Sequence, residues 1–372
     1  VTPGITLEVS GRPAGLTLDY DPSYVTYVDG TYENYWRHAV NLDGWWQAGR
    51  HTRFELTNAF LNTEDPISDD DLTVRDSRNP YTRNTANISL EQQFGEENVA
   101  TLGFEYSILE NDDPTVDDSQ EFVPSFELTY WMNVRWGLDF SAVYRRAEYD
   151  VPAPDVPDDF DSLYGSLRLL HRFNRHITGF LGYAHTYHDY EYSDQDLLLN
   201  DYTIHDAFAG FEYDINDTTF LSVTAHYFVR DIEDGSDDDG TPIDLDFTKT
   251  FQRGSVALNA GGGYNYTTVS AENLGYYVYY GGGLTADYQF NRRITGDLLG
   301  FYEWRDYRDV PGGREDNVFR GGGGLSFELL RWLTMRAGYL YRVVDSTDEV
   351  NNYRENRVSL LFTIAPPQPF RL

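Results

Sequence analysis

The chain has 372 residues, no cysteine, and 61 acidic against 28 basic side chains, for a formal net charge of −33. Without thiols, disulfide frameworks, zinc–thiolate sites, iron–sulfur clusters and cysteine nucleophiles are excluded. So strong a negative charge also excludes a nucleic-acid binder, which must neutralise phosphates. No run of about 18 apolar residues is present, which argues against a transmembrane helix. No apolar signal-peptide core is present either, so a secreted protein is expected here in its mature form. The mean hydropathy is polar, at −0.54, yet 16% of residues are aromatic, unlike a disordered chain. A transmembrane β-barrel reconciles the two, because only every second residue must face lipid.

In chain order, Ile5–Ser10 is strand-like and precedes Arg12-Pro13, so residues 1–14 are expected as an N-terminal periplasmic segment. From Gly15 onward, segment after segment alternates apolar and polar residues, the period of a strand. Ala100, Leu102, Phe104, Tyr106 and Ile108 share one face, and Thr101, Gly103, Glu105 and Ser107 the other. After Trp136 the sets are Leu138, Phe140, Ala142 and Tyr144 against Gly137, Asp139 and Ser141. Ile177 to His185 reads on either face. From Leu333 they are Leu333, Met335, Ala337, Tyr339 and Tyr341 against Thr334, Arg336, Gly338 and Arg342. Last come Val358, Leu360, Phe362 and Ile364 against Arg357, Ser359 and Thr363.

Tight turns are expected near 47–51, 94–98, 132–136, 173–176, 215–218, 251–254, 290–293 and 330–332. Long polar loops alternate with them near 29–34, 62–80, 109–121, 149–160, 189–202, 231–245, 269–274, 305–317 and 343–354. These eight turns and nine loops join eighteen strands. The expected fold is therefore all-β, an antiparallel up-and-down transmembrane barrel over 15–365 with short periplasmic turns and long acidic extracellular loops. Residues 366–372, opening Pro366-Pro367-Gln368-Pro369, form a C-terminal periplasmic tail, because proline has no N–H for a ladder.

Charge and aromatics sort the two ends. Nearly all of the net negative charge falls in the loop windows, while Arg50, Arg53, Arg135, Arg172, Arg175, Arg253, Arg292, Arg293 and Arg331 lie at or beside turns. Trp45, Trp46, Phe94, Trp131, Trp136, Phe173, Phe251, Phe290 and Trp332 flank the same turns, as a headgroup-level girdle would.

A barrel of this strand number leaves an aqueous channel. Its candidate lumen lining is Glu105, Glu127, Asp139, Arg145, Arg168, Asp297, Arg320, Glu328, Arg336, Arg342 and Arg357, either as a solvated wall or as an eyelet that selects the solute. Glycine runs at Gly261, Gly262, Gly263, at Gly281, Gly282, Gly283 and at Gly321, Gly322, Gly323, Gly324, with Gly300 between, fall at mid-height on four consecutive strands. Such a patch marks sheet curvature, a protomer or partner contact, or a widened lumen. Tyr276, Tyr277, Tyr279 and Tyr280 are expected mostly in the girdle and on the lipid face, with stacking on sugar rings in the lumen as the other reading. The acidic run from Asp231 to Gly240 lacks the spacing and final Glu of an EF-hand loop. It is either a solvated loop or a weak divalent-cation site at Asp234, Asp237, Asp238 and Asp239. No nucleophile elbow or metal-ligand motif is present, so neither an enzyme nor a cofactor is expected.

The run from Arg12 to Tyr27, opening Arg12-Pro13-Ala14-Gly15-Leu16-Thr17-Leu18-Asp19-Tyr20, is followed by Asn34, His38, Phe54-Glu55-Leu56-Thr57-Asn58, Glu64-Asp65-Pro66 and Asn79-Pro80-Tyr81-Thr82-Arg83-Asn84. Together these resemble the putative β-barrel porin 2 family, including members associated with exopolysaccharide and PEP-CTERM gene clusters. The matching motifs sit mainly before residue 115. The resemblance implies an outer-membrane barrel of this size and, in some members, a partnership in polysaccharide export. It implies no catalytic residues.

Three functions are open at this point. One is a channel passing an exopolysaccharide across the bacterial outer membrane, with a periplasmic export protein docked on the arginine-rich turns. The second is a general or sugar-selective diffusion porin that prefers cations because of its acidic loops. The third is a non-conducting barrel anchoring a surface assembly. Outer-membrane lipid and lipopolysaccharide are the expected surroundings, the latter bridged through divalent cations at the loops.

Overall fold

The computed structural model describes residues 4–26, 34–64, 80–114, 116–150, 159–191, 200–232, 238–266, 275–310 and 312–364. Among them are twenty strands, one 3-10 turn and no α-helix. The first seven strands are β1 (Ile5–Ser10), β2 (Ala14–Val25), β3 (Tyr35–Gln47), β4 (Thr52–Thr63), β5 (Tyr81–Gln93), β6 (Val99–Asn111) and β7 (Asp118–Trp131). The next seven are β8 (Trp136–Asp150), β9 (Phe160–Arg172), β10 (Ile177–Tyr190), β11 (Tyr202–Asn216), β12 (Thr219–Ile232), β13 (Asp238–Gly240) and β14 (Ile243–Phe251). The last six are β15 (Gly254–Tyr266), β16 (Tyr276–Asn291), β17 (Ile294–Tyr307), β18 (Arg314–Leu330), β19 (Leu333–Ser346) and β20 (Tyr353–Ile364).

Every ladder is antiparallel, and each strand pairs with its neighbours in the chain. The exception is instructive. β12 pairs with β13 at its loop end and with β14 below, so the two short strands are one strand interrupted at Thr241-Pro242. Proline cannot donate to the ladder, although the Pro242 carbonyl still accepts from His226 N–H at 2.9 Å. Counted this way, β2 to β20 make eighteen strands across the wall. β1 lies along the tight-turn half of β2, from Ile5↔Tyr20 to Ser10↔Gly15.

All eight tight turns lie where the alternation breaks. Three are built alike: Asn133, Asn174 and Asn291 each accept two turn N–H groups through Oδ1, at 2.8–3.1 Å. A short amide that can mimic the backbone is the usual reason for asparagine there. The turns carry the ring of exposed Trp46, Phe94, Trp136, Phe173, Phe251, Phe290 and Trp332. Arg172 lies 3.9 Å over the Trp131 ring and Arg53 5.6 Å over Trp45. Along the strands, Leu102, Phe104, Leu163, Leu167, Leu181, Tyr227, Leu298, Tyr302 and Leu360 are exposed on one face. The opposite face carries the charges. That inversion of the soluble pattern is what a lipid-embedded wall requires.

Candidate functional site: the folded-in strand end

At the loop end, the start of β16 departs from the wall. Tyr276, Tyr277 and Val278 are 0%, 7% and 5% exposed, so the strand end is buried on both faces. A wall strand has lipid or water on its outer face, and this one does not. The outer-face residues Tyr276 and Val278 belong to a cluster with Ala147, Tyr149, Phe160, Tyr190, Tyr202, Ile204 and Phe228, all on the inner face of β8 to β12. Tyr264 of β15 packs on the same cluster, 5.0 Å from Phe228. The alternate residues Tyr277 and Tyr279 pack with Tyr307 and Val310. The β15–β16 end therefore folds inside the barrel and lies against the inner surface of β11 and β12.

One ion pair fastens it. Arg230 on β12 is 1% exposed, and its two Nη atoms donate to the two carboxylate oxygens of Asp309 at 2.8 Å each. Asp309 sits in the connection between β17 and β18, and its Oδ2 also accepts from Tyr276 N–H at 2.9 Å. The Arg230 guanidinium is stacked between two rings, 4.2 Å from Tyr202 and 4.0 Å from Tyr276. Fully buried His188 continues the stack, lying parallel to Tyr202 at 4.8 Å and beside Phe160 at 4.4 Å. A bidentate, stacked guanidinium is the form in which a buried charge is best satisfied.

The local sequence explains the inward fold. The β14–β15 ladder stops at Leu245↔Ala260, so Gly261–Tyr266 has backbone pairing only to β16. The chain enters β16 through Gly275, in the left-handed region at φ 66°. At the base of the fold, Gly261 pairs with Gly281 and Ala260 with Gly282. A Cβ on Gly281 would lie 2.6 Å from the Tyr302 carbonyl, and one on Gly282 2.8 Å from that of Asn259. The glycine patch runs on through Gly300↔Gly321 and Gly324↔Gly338.

The eleven charged residues singled out from sequence all project on the inner face, and most meet partners from neighbouring strands. Arg168 binds Asp139 at 2.6 and 3.0 Å and reaches Glu212 at 3.5 Å. Arg336 binds Asp297, with one contact at 2.7 Å. Arg342 and Arg357 share Glu355, at 2.5 and 2.8 Å. Arg145 pairs with Glu121. Arg320 lies 5.8 Å from the Phe301 ring. Glu127 lines a recess of about 330 Å³ with Asp139, Arg168 and Phe208. Glu105 is half-buried opposite Val123, and Glu328 is exposed near the tight turns. The pairs are spread along the wall and do not form a ring at one height.

The tyrosine expectation is corrected. Tyr276, Tyr277 and Tyr279 are not girdle or lipid-face residues, because the loop end of β16, still paired with β17, turns inward and is covered on both faces; Tyr280 alone of the four is exposed, stacked 6.1 Å from Trp304. Asp234 and Asp237 lie outside the described residues. Asp238 and Asp239 lie on β13, with Asp238 3.9 Å from Arg308. Among the described residues no group of three acidic or histidine side chains is placed to hold a metal. The sequence reading missed Arg230 and Asp309: Asp309 lay in the 305–317 loop window, and Arg230 immediately before the 231–245 window.

Comparison with known proteins agrees with this architecture. Residues 255–365, from β15 to the end of β20, match the family model described as putative beta-barrel porin 2. The comparison with curated proteins found no match. Among solved structures, the chain is similar to the FrpB iron transporter from Neisseria meningitidis (F5-1 variant; TM-score 0.62, 9% identity, 97% of this chain and 79% of that one). It is also similar to the siderophore receptor PirA from Pseudomonas aeruginosa (TM-score 0.57, 8% identity, 97% and 74%). A third is the ferric-catecholate import receptor Fiu from E. coli K12 (TM-score 0.54, 10% identity, 97% and 78%). At such identities the likeness is one of fold. The long-loop end is accordingly extracellular and the tight-turn end periplasmic, and the chain is an outer-membrane β-barrel whose strands β15 to β20 match putative beta-barrel porin 2.

Proposed function

We propose that the protein is a gated channel that releases a secreted polysaccharide through the outer membrane, with the β15–β16 end as its gate. The observation that carries this reading is the buried Arg230–Asp309 pair, which ties β12 to the β17–β18 connection and, through Tyr276 N–H, to the start of β16. A diffusion porin works with a permanently open mouth, whereas a folded-in strand end suits a channel that opens on demand. The gate's packing partners also suit a sugar chain: Tyr149, Tyr190 and Tyr202 present flat rings with hydroxyls once the end swings away. The acidic loops around the exit favour a neutral or cationic polymer over an anionic one. A periplasmic export protein would dock at the arginine-bearing turns.

The test is single-channel conductance in a planar bilayer, comparing wild type with Asp309→Asn. The expected result is a mostly closed wild type and a variant with long open dwell times that added neutral oligosaccharides block. A large steady current through wild type would favour the diffusion porin. Silence from both, in demonstrably folded barrels, would favour a structural anchor.

A further inference from the structure

Low on the outer face, between β16 and β19, the wall has a dent of about 540 Å³. Its floor forms where outward-facing positions are minimal: Ala286, Gly296, Gly323 and Ala337, one from each of four adjacent strands. Exposed Tyr288, Leu298, Leu325 and Tyr339 wall it, and Phe290 closes its lower end, edge-on to Tyr288 at 5.2 Å. With strands rising about 3.3 Å per residue and tilted, residues this near the turns lie in the periplasmic half of the hydrocarbon layer.

Directly below are the two tight turns that join these strands. The β16–β17 turn presents Arg292 and Arg293, and the β18–β19 turn presents Arg331 beside exposed Trp332. All three arginines are exposed, and none forms an ion pair among the described residues. An apolar trough in the membrane thus ends on three unpaired cations at headgroup level.

We propose that this is a binding site for one anionic phospholipid of the periplasmic leaflet. An acyl chain lies in the dent, and the phosphate is held by Arg292, Arg293 and Arg331. Guanidinium groups bind phosphate oxygens in pairs, and basic groups at the membrane surface select anionic over zwitterionic lipid. Lipopolysaccharide is excluded by position, because it would meet the opposite, acidic end of the barrel. A second copy of this chain would be repelled by its own three arginines.

The test is native mass spectrometry of the detergent-purified barrel after incubation with equimolar phosphatidylglycerol and phosphatidylethanolamine. Wild type should retain the anionic lipid in roughly tenfold preference. The triple variant Arg292→Gln/Arg293→Gln/Arg331→Gln should bind both lipids equally. Ala337→Trp, which fills the dent without touching the charges, should lower occupancy by both. Each variant is checked for folding by its heat-dependent gel mobility. Arg50→Gln/Arg135→Gln, on distant turns, should behave as wild type. Equal retention of the two lipids by wild type, an unchanged preference in the triple variant, or a dimer that Ala337→Trp disrupts would overturn the proposal.

Discussion

Arg230 and Asp309 are 79 positions apart in the chain, yet they meet through two parallel hydrogen bonds of 2.8 Å inside the barrel. Removing one partner of such a pair strands the other charge, at a cost of roughly 3–5 kcal/mol. Arg230→Met should therefore loosen the connection that bears Asp309 and the adjoining β15–β16 end. The expected outcome is faster protease cleavage near residues 308–313 in intact outer-membrane vesicles. An unchanged cleavage rate would mean that ring packing alone holds the end in place.

Two glycines of the patch should respond differently to substitution. Gly282→Val places a side chain where a Cβ would approach the Asn259 carbonyl at 2.8 Å, whereas around Gly300 a Cβ meets nothing within 4 Å. The first substitution should lower the yield of heat-resistant folded barrel severalfold, or shift the channel toward open. Gly300→Val should match wild type in both assays. Equal behaviour would show that close backbone approach is not the role of the run at Gly281–Gly283.

Arg168 neutralises Asp139 and lies 3.5 Å from Glu212 on the inner wall. In the background of the Asp309→Asn channel, Arg168→Met leaves both carboxylates uncompensated. The reversal potential in a salt gradient should move toward stronger cation selectivity. A shift toward anions, or none, would place the conducting path away from this pair.

Leu167 is exposed on the outer face of β9, and Thr101 lies on the inner face of β6. Leu167→Arg should cost about 2–4 kcal/mol if its side chain faces the middle of the bilayer. Thr101→Arg, facing the wet interior, should leave stability near that of wild type. Unfolding in urea from lipid vesicles measures both, and equal stabilities would contradict the assignment of faces.

The wall was legible in the sequence because a strand's period of two reports directly on two unlike solvents. Leu102 and Phe104 against Gly103 and Glu105 needed no tertiary information. The acidic loop windows were less reliable. Arg305 binds Glu303 at 2.6 Å and Arg314 binds Asp316 at 2.9 Å, so charged segments that resemble loops continue the ladders of β17 and β18. The folded-in end was not legible at all. Alternation says which residues share a face, but not whether a strand remains in the wall, and Tyr276 and Tyr280 carry the same local pattern. The pairing of Arg230 with Asp309 depends on the curvature of the whole sheet, which no local window contains.

The break at Pro242 leaves β15 without a ladder to β14 above Ala260, whereas β16 stays hydrogen-bonded to β17 up to Tyr277↔Tyr307. In the proposed gate, the ends of β15, β16 and β17 therefore have to move together, and the seam that parts is the one with no backbone ladder to break. On that proposal, opening is opposed by one ion pair and a patch of rings at that seam, while resistance to heat rests on the remaining ladders. Variation at Arg230 or Asp309 would then retune opening at little cost to durability in the membrane.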